Sequence, residues 1–301
     1  MNNSKTQKQL ALLRESTMAV VRYLDNTSIA LIIKNKDVGS GTCIKIGSRY
    51  FIATAAHNLI GCTSGDVLLV HSKTPSSHKI NITKFGFIGG GKDDLLDVGF
   101  IELSEDEVNK SGKRFIEFTQ LEFGVHHKDD DLILVSGYPS EIVQILASGN
   151  AVTPIGYGTI SCRVGTNSFS AYDIFLEYPE ENNAIYDKVL HNLPKAHGLS
   201  GGGFWSLHIN DSGLWSTDKI KLIGLDVSWS ERNRWVKGIQ IQHWLDLVLN
   251  EYPDLRPNVP LLSRLKTSFL CSKIFIYFSY LCDFSVRYLS KKRRWPNNER
   301  L

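Results

Sequence analysis

Gly39-Ser40-Gly41-Thr42-Cys43-Ile44-Lys45-Ile46-Gly47-Ser48-Arg49-Tyr50-Phe51-Ile52-Ala53-Thr54-Ala55-Ala56-His57 sets the texture of the chain. Thr42–Ile46 and Tyr50–Thr54 are short runs rich in β-branched and aromatic residues, parted by the turn pair Gly47-Ser48, and they predict two strands. The same texture extends upstream, through Met18–Leu24 and Ser28–Ile33 on either side of Asp25-Asn26-Thr27. Downstream it recurs at Val67–Val70, Val98–Leu103, Leu132–Ser136, Val143–Leu146, Tyr157–Val164, Ile174–Tyr178, Phe204–His208, Ile220–Ser228 and Val236–Ile241. Many short strands at this spacing predict an all-β body of antiparallel sheets, as barrels or sandwiches. A helical period follows the last strand, with Trp244, Leu245, Leu247, Val248 and Leu249 ending near Pro253.

The charged stretch Ser104–Asp131 parts two strand-rich halves, and no internal repeat is visible. The expected organisation is an extension at residues 1–17, a body at 18–250 built from units at 18–110 and 131–250, and a tail at 261–301. With 42% hydrophobic and 22% charged residues among 301, the chain is far from the compositions of disorder and collagen.

The formal charge of +3 hides a division. From Arg264 onward nine basic residues stand against Asp283 and Glu299, a net +7, which leaves residues 1–263 at −4 (25 Lys and Arg against 29 Asp and Glu). Cys43, Cys62, Cys162, Cys271 and Cys282 are odd in number and contain no CxxC pair, so they do not read as a disulfide framework. The apolar cluster Leu10–Leu13 is broken by Arg14 and Glu15 and is too short for a secretory signal, so a reducing, cytoplasmic setting is expected.

Acyl transfer at an amide needs a nucleophile, a base to take its proton, an acid group to orient the base, and donors for the oxyanion. His57 follows a strand and two small residues that leave room for an imidazole. Asp97 opens the apolar run Val98–Leu103, where a buried orienting carboxylate belongs, whereas Asp93 and Asp94 fall in a Gly-rich polar turn. Ser200 lies in the turn Gly198-Leu199-Ser200-Gly201-Gly202, in which Gly198 can take a positive φ and backbone N–H groups can face a substrate oxygen. Each piece is weak alone. In the order His, Asp, Ser, separated by 40 and 103 residues across a two-unit β chain, they form a specific signal.

These residues resemble the trypsin-like (chymotrypsin-fold) serine peptidases, especially their bacterial and intracellular branches without disulfides. The likeness covers roughly residues 18–250. It rests on Gly39-Ser40-Gly41-Thr42, Thr54–His57, Asp97–Gly99, Val135-Ser136-Gly137-Tyr138-Pro139 and Gly198–Gly202. The resemblance implies two antiparallel β-barrels with a cleft between them, followed by a short C-terminal helix. It also implies a protein or peptide substrate and roles for each residue: Ser200 as nucleophile, His57 as general base and acid, Asp97 as its orienter, and the N–H groups of Gly198 and Ser200 as oxyanion hole.

The resemblance further places the primary pocket between His191–His197 and the strand Ile223–Trp229. His197, Asp226, Ser228 and Trp229 are its candidate lining residues. Asp226 in the pocket would select Lys or Arg, His197 would favour an acidic side chain, and a slip of one residue would turn Asp226 to the back face. Two positions depart from the family. Leu199 stands where secreted, zymogen-activated members carry an acid, which implies a site formed without proteolytic activation. Asn58 stands where many members carry a cysteine, and Cys43 and Cys62 nearby are expected to be free thiols.

No HExxH, P-loop or dinucleotide fingerprint is present, so no cofactor is expected. His126-His127 before Lys128 and three aspartates reads as a solvated connector rather than a metal site. In the tail, Ser268–Leu289 reads as an amphipathic helix leading to Lys291-Lys292-Arg293-Arg294-Trp295. Its longest uncharged stretch, Ile274–Cys282, is nine residues. A span needs about twenty apolar residues. Residues 264–295 therefore read as a peripheral membrane contact or a docking segment for a protein partner or the body. Nucleic-acid binding is disfavoured, because no aromatic-interleaved platform accompanies the basic run. The chain thus reads as a serine endopeptidase, with an idle trypsin-fold binding module and a membrane-surface adaptor as the alternatives.

Overall fold

Strand alternation sends the side chains of the first half to two different interiors. Phe51 and Ala53 join Ile44, Ile46 and Phe100 in one apolar cluster, while the intervening Ile52 joins Cys43, Ile29, Leu31 and Ile101 in another. The computed structural model describes residues 20, 22–34, 37–63, 66–70, 77–79, 84–91, 94–123, 132–141, 155–160, 173–179, 183–184, 190–207, 219–259 and 277–280.

The first sheet is built from β1 (Ser28–Ile33), β2 (Asp37–Ile46), β3 (Arg49–Thr54), β4 (Val67–Val70), β5 (Ser77–Lys79), β6 (Lys84–Gly89), β7 (Asp97–Leu103) and β8 (Ile116–Glu117). The second uses β9 (Leu132–Gly137), β10 (Ile155–Ile160), β11 (Asp173–Glu177), β14 (Gly203–Leu207), β15 (Ile220–Ser230) and β16 (Trp235–Gln240), while β12 (Asn183–Ala184) and β13 (Leu190–His191) pair only with each other. A further short strand, β17 (Tyr277–Tyr280), lies at the edge of the first sheet, whose order is β17-β6-β7-β3-β2-β1-β4-β5, with β8 parallel to β2. The second sheet runs β10-β9-β14-β15-β16-β11, all antiparallel. The expectation of an all-β fold with two antiparallel units holds.

Helices accompany the sheets, among them α1 (Glu105–Ser111) and α2 (Ile241–Glu251). On α2, Ile241, Trp244, Leu245, Val248 and Leu249 recur at helical spacing and are all buried. The helix packs on both β7 and β15, so one apolar stripe joins the two sheets. Trp244 is fully buried and meets Phe51 edge to face, ring centroids 6.1 Å apart. Trp244→Ala is expected to cost about 3–5 kcal/mol of unfolding free energy in urea titrations. A loss under about 1 kcal/mol would mean that the helix does not hold the sheets together.

Two expectations need correction, and a third gains detail. The described part of Met18–Leu24 is not a strand: residues 20 and 22–27 are helical, and Val20, Tyr23, Leu24 and Thr27 are buried at spacings of three and four. The β-branched content of the run outweighed that period in the sequence reading. The connector after residue 103 begins with α1, whose Ser104 side chain accepts a hydrogen bond from Glu107 N–H, the device that the spacing Ser-x-x-Glu announces. In the tail, Tyr277–Tyr280 falls within the expected helix but pairs as a strand with β6; the rest of 261–301 lies outside the described residues. Among the described residues, no helix is long and apolar enough to cross a membrane.

Candidate active site

β3 and β7 are hydrogen-bonded neighbours, with Thr54 opposite Gly99. Asp97 at the start of β7 therefore lies close to the chain that leaves β3 through Ala55 and Ala56, both fully buried. That chain turns once, in a short 3-10 helix at Ala56–Asn58, and presents His57 at its surface. The Asp97 carboxylate takes both polar groups of the histidine: Oδ1 accepts the His57 backbone N–H at 2.9 Å, and Oδ2 pairs with Nδ1 at 2.6 Å. This two-point grip orients the ring with Nε2 away from the carboxylate. The competing acid Asp94 is exposed and closes its own turn through Gly91 N–H at 2.8 Å, and Asp93 lies outside the described residues.

Ser200 precedes β14 in a turn whose carbonyls are almost all committed. His197 O accepts from Ser140 N–H at 2.8 Å, Gly198 O from the Ser40 hydroxyl at 2.7 Å, and Leu199 O from Gly202 N–H at 2.7 Å. Ser200 O accepts twice, from Ser40 N–H at 2.8 Å and from Asn58 Nδ2 at 2.9 Å. A trans peptide points its C=O and N–H in opposite directions. With the carbonyls of residues 197 and 199 turned into the body, the N–H groups of Gly198 and Ser200 face outward. Among the described residues neither N–H has a protein acceptor. Gly198 has φ +96° and could carry no side chain, because a Cβ there would lie 2.6 Å from Ser140 N and 2.7 Å from Tyr138 O.

His57, Ser200, Gly198, His197 and Trp229 line one open cleft of about 230 Å³. Among the described residues no hydrogen bond joins Ser200 Oγ to the imidazole. Bonds of this kind are often long without substrate and tighten when it binds. On the side of the first sheet the cleft carries Ile33, Val38 and Ile60 together with Lys34 and Asp37, a mixed wall beside His57.

The candidate pocket residues divide. His197 is exposed in the cleft, with Nδ1 tied to Ser140 Oγ at 2.9 Å, and Trp229 lines the same space. Asp226 and Ser228 are not among the lining residues. Asp226 is 1% exposed, and its backbone joins the serine turn, accepting from Gly201 N–H and donating to Gly202 O, both at 2.7 Å. β15 also bulges between Asp226 and Ser228 in its pairing with β16.

Asp226 Oδ1 is buried without a hydrogen-bond partner among the described residues. Burial, with the charge of Asp97 second, pushes this carboxyl well above the usual value of 3.8. The unfolded chain ionises the group near that usual value, so above it the native state holds the extra proton. Stability then falls as pH rises through the window up to the folded pKa. The unfolding midpoint of Asp226→Asn relative to wild type is therefore expected to improve as pH rises above 4. A difference independent of pH would contradict a neutral buried Asp226.

Cys43 and Cys62 are free and buried; burial pushes the Cys43 thiol up to about 12 and raises that of Cys62. Among the described residues no group of three or more His, Cys, Asp or Glu side chains is gathered to hold a metal ion, and His126 and His127 lie outside those residues.

The sequence reading missed Ser140 altogether. It treated Asn58 only as a departure and Ser40 only as part of a motif. Asn58 donates to Thr54 Oγ1 at 3.0 Å as well as to Ser200 O, and so links the histidine and serine segments. Its position directly after His57 was the available signal.

No family model and no curated protein matches the sequence. Among solved structures the chain is similar to a scabies mite inactivated protease paralogue, S-I1, at 13% identity over 76% of this chain and 96% of that one, with a TM-score of 0.48. It is also similar to a Glu endopeptidase in complex with MPD, at 14% identity over 76% and 91% of the two chains, with a TM-score of 0.46. A third is the thermostable serine protease AL20 from an extremophilic microorganism, at 11% identity over 72% and 91%, with a TM-score of 0.45.

Proposed function

We propose that the chain is a serine endopeptidase that works through His57, Asp97 and Ser200. The observation that carries this reading is the two-point hold of Asp97 on His57 in the cleft that Ser200 also lines. In the ground state Asp97 keeps the proton on Nδ1, which leaves Nε2 as the base facing the cleft. Ser200 Oγ attacks the peptide carbonyl and gives its proton to Nε2. The oxygen of the tetrahedral intermediate takes charge beside the unspent N–H groups of Gly198 and Ser200. His57 then protonates the leaving amine, which gives an acyl-enzyme. Water, activated by the same imidazole, attacks the ester and regenerates Ser200.

The wall of Ile33, Lys34, Asp37, Val38 and Ile60 lies beside His57, the group that serves the leaving amine. It therefore accommodates the part of the substrate that follows the cleaved bond. The test is digestion of an unbiased peptide mixture, with cleaved bonds identified by mass spectrometry. New termini are expected with wild type and not with His57→Ala. Equal products from both, or none from folded wild type, would remove the peptidase reading.

A further inference from the structure

Ser40 is fully buried, and each of its polar groups is hydrogen-bonded, two of them to the serine turn. Its N–H donates to Ser200 O at 2.8 Å, and its carbonyl accepts from Thr54 Oγ1 at 2.8 Å. Its hydroxyl donates to Gly198 O at 2.7 Å and accepts from Tyr138 N–H at 2.7 Å. One residue of the first sheet thus grips the turn of the second sheet at two carbonyls, those of residues 198 and 200. The two oxyanion N–H groups belong to the peptides 197–198 and 199–200, so Ser40 pins the peptide between them and the one that follows. Gly201 packs against the same residue: with φ +92°, a Cβ there would lie 2.0 Å from Ser40 O.

A constraint is needed at this place for a physical reason. Gly198 lacks a Cβ and sits at positive φ, so sterics alone do not fix the planes on either side of it. Hydrogen bonds must do so. Ser140 N–H secures the 197–198 plane through His197 O, and the 198–199 plane is held at both ends, its N–H by Ala196 O at 3.0 Å and its carbonyl by the Ser40 hydroxyl at 2.7 Å.

We propose that Ser40 is a positioning residue of the oxyanion hole, its hydroxyl holding the Gly198–Leu199 peptide so that the flanking N–H groups converge on one substrate oxygen. The inference rests on the serine peptidase reading given above. Ser40→Ala removes the hydroxyl alone and keeps the backbone bond to Ser200 O.

The control is Thr42→Val. Thr42 is equally buried two residues along β2, and its hydroxyl has no hydrogen-bond partner among the described residues. Removing a direct oxyanion donor typically costs 10²–10³ in kcat, so losing one that acts through a peptide plane is expected to cost about 10- to 100-fold, with KM changed less than about threefold.

The readout that a merely structural role would not move is a small arylboronic acid, whose tetrahedral serine adduct places an oxygen in the hole. Its affinity is expected to fall in step with kcat in Ser40→Ala and to stay at the wild-type value in Thr42→Val. Ser40→Cys, a weak donor of similar shape, is expected to be intermediate and serves if the alanine variant does not fold.

Wild-type kcat and boronate affinity in a folded Ser40→Ala protein, or in Ser40→Cys if only that folds, would overturn the proposal and leave the peptidase reading intact. A loss of boronate affinity in Thr42→Val equal to that in Ser40→Ala would overturn it as well. A folded wild type that neither cleaves peptides nor binds the boronate would instead end the peptidase reading and this inference with it.

Discussion

Ser200→Ala is expected to lower kcat for peptide hydrolysis by about 10⁶-fold, the size of loss seen when the nucleophile of a cooperating triad is removed. A marginal effect is inconsistent with acyl transfer through this residue, because nothing else on the turn can take its place. Leu199 and Gly201 beside it carry no nucleophile. The same substitution should leave the fold untouched. Ser200 Oγ makes no hydrogen bond among the described residues, so its loss orphans no buried group, and the unfolding free energy is expected to stay within about 0.5 kcal/mol. Initial rates on a cleaved peptide and urea titrations of the same preparations check both halves. A folded variant with more than about a tenth of wild-type activity would contradict the assignment.

Asp97→Asn is expected to cost about 10⁴ in kcat, and the geometry gives the reason. The carboxylate accepts from two His57 donors at once, the backbone N–H at 2.9 Å and Nδ1 at 2.6 Å. An amide has one acceptor oxygen. If that oxygen stays on the backbone N–H, the NH₂ group faces Nδ1 and stabilises the tautomer with its proton on Nε2. The nitrogen that should take the serine proton then already carries one. Rate profiles against pH for wild type and variant measure the loss, and a fall of less than about tenfold would show that Asp97 does not set the tautomer.

Much of this site was legible in the sequence, because the signals for His57, Asp97 and Ser200 are local. Two small residues admit an imidazole, an apolar strand starts beside a carboxylate, and glycines surround a serine. The strands of both sheets announced themselves by β-branched and aromatic content, and α2 by its helical period. What escaped the reading depends on contacts between distant segments. Lys84–Gly89 is half of the pair that carries Asp97, yet its glycines mask the alternation that marks a strand. The burial of Asp226 behind the serine turn depends on its backbone bonds to Gly201 and Gly202, and no spacing in the sequence encodes it. Ser40 and Ser140 act 158 and 57 residues away from the carbonyl and ring that they hold, and serine is too common in turns and strands to signal such a bond alone.

The central claim, that Ser200 is an activated nucleophile, is tested most directly by reaction with a fluorophosphonate. Its phosphorus is attacked by the serine oxygen with loss of fluoride, without any need to know the peptide substrate. Peptide mapping by mass spectrometry of the native, folded chain is expected to find one adduct, on Ser200. Labelling should be absent in Ser200→Ala and sharply reduced in His57→Ala. Folded wild type that takes no label, or label at the same rate with His57 replaced, would contradict the account and leave the fold as a binding module.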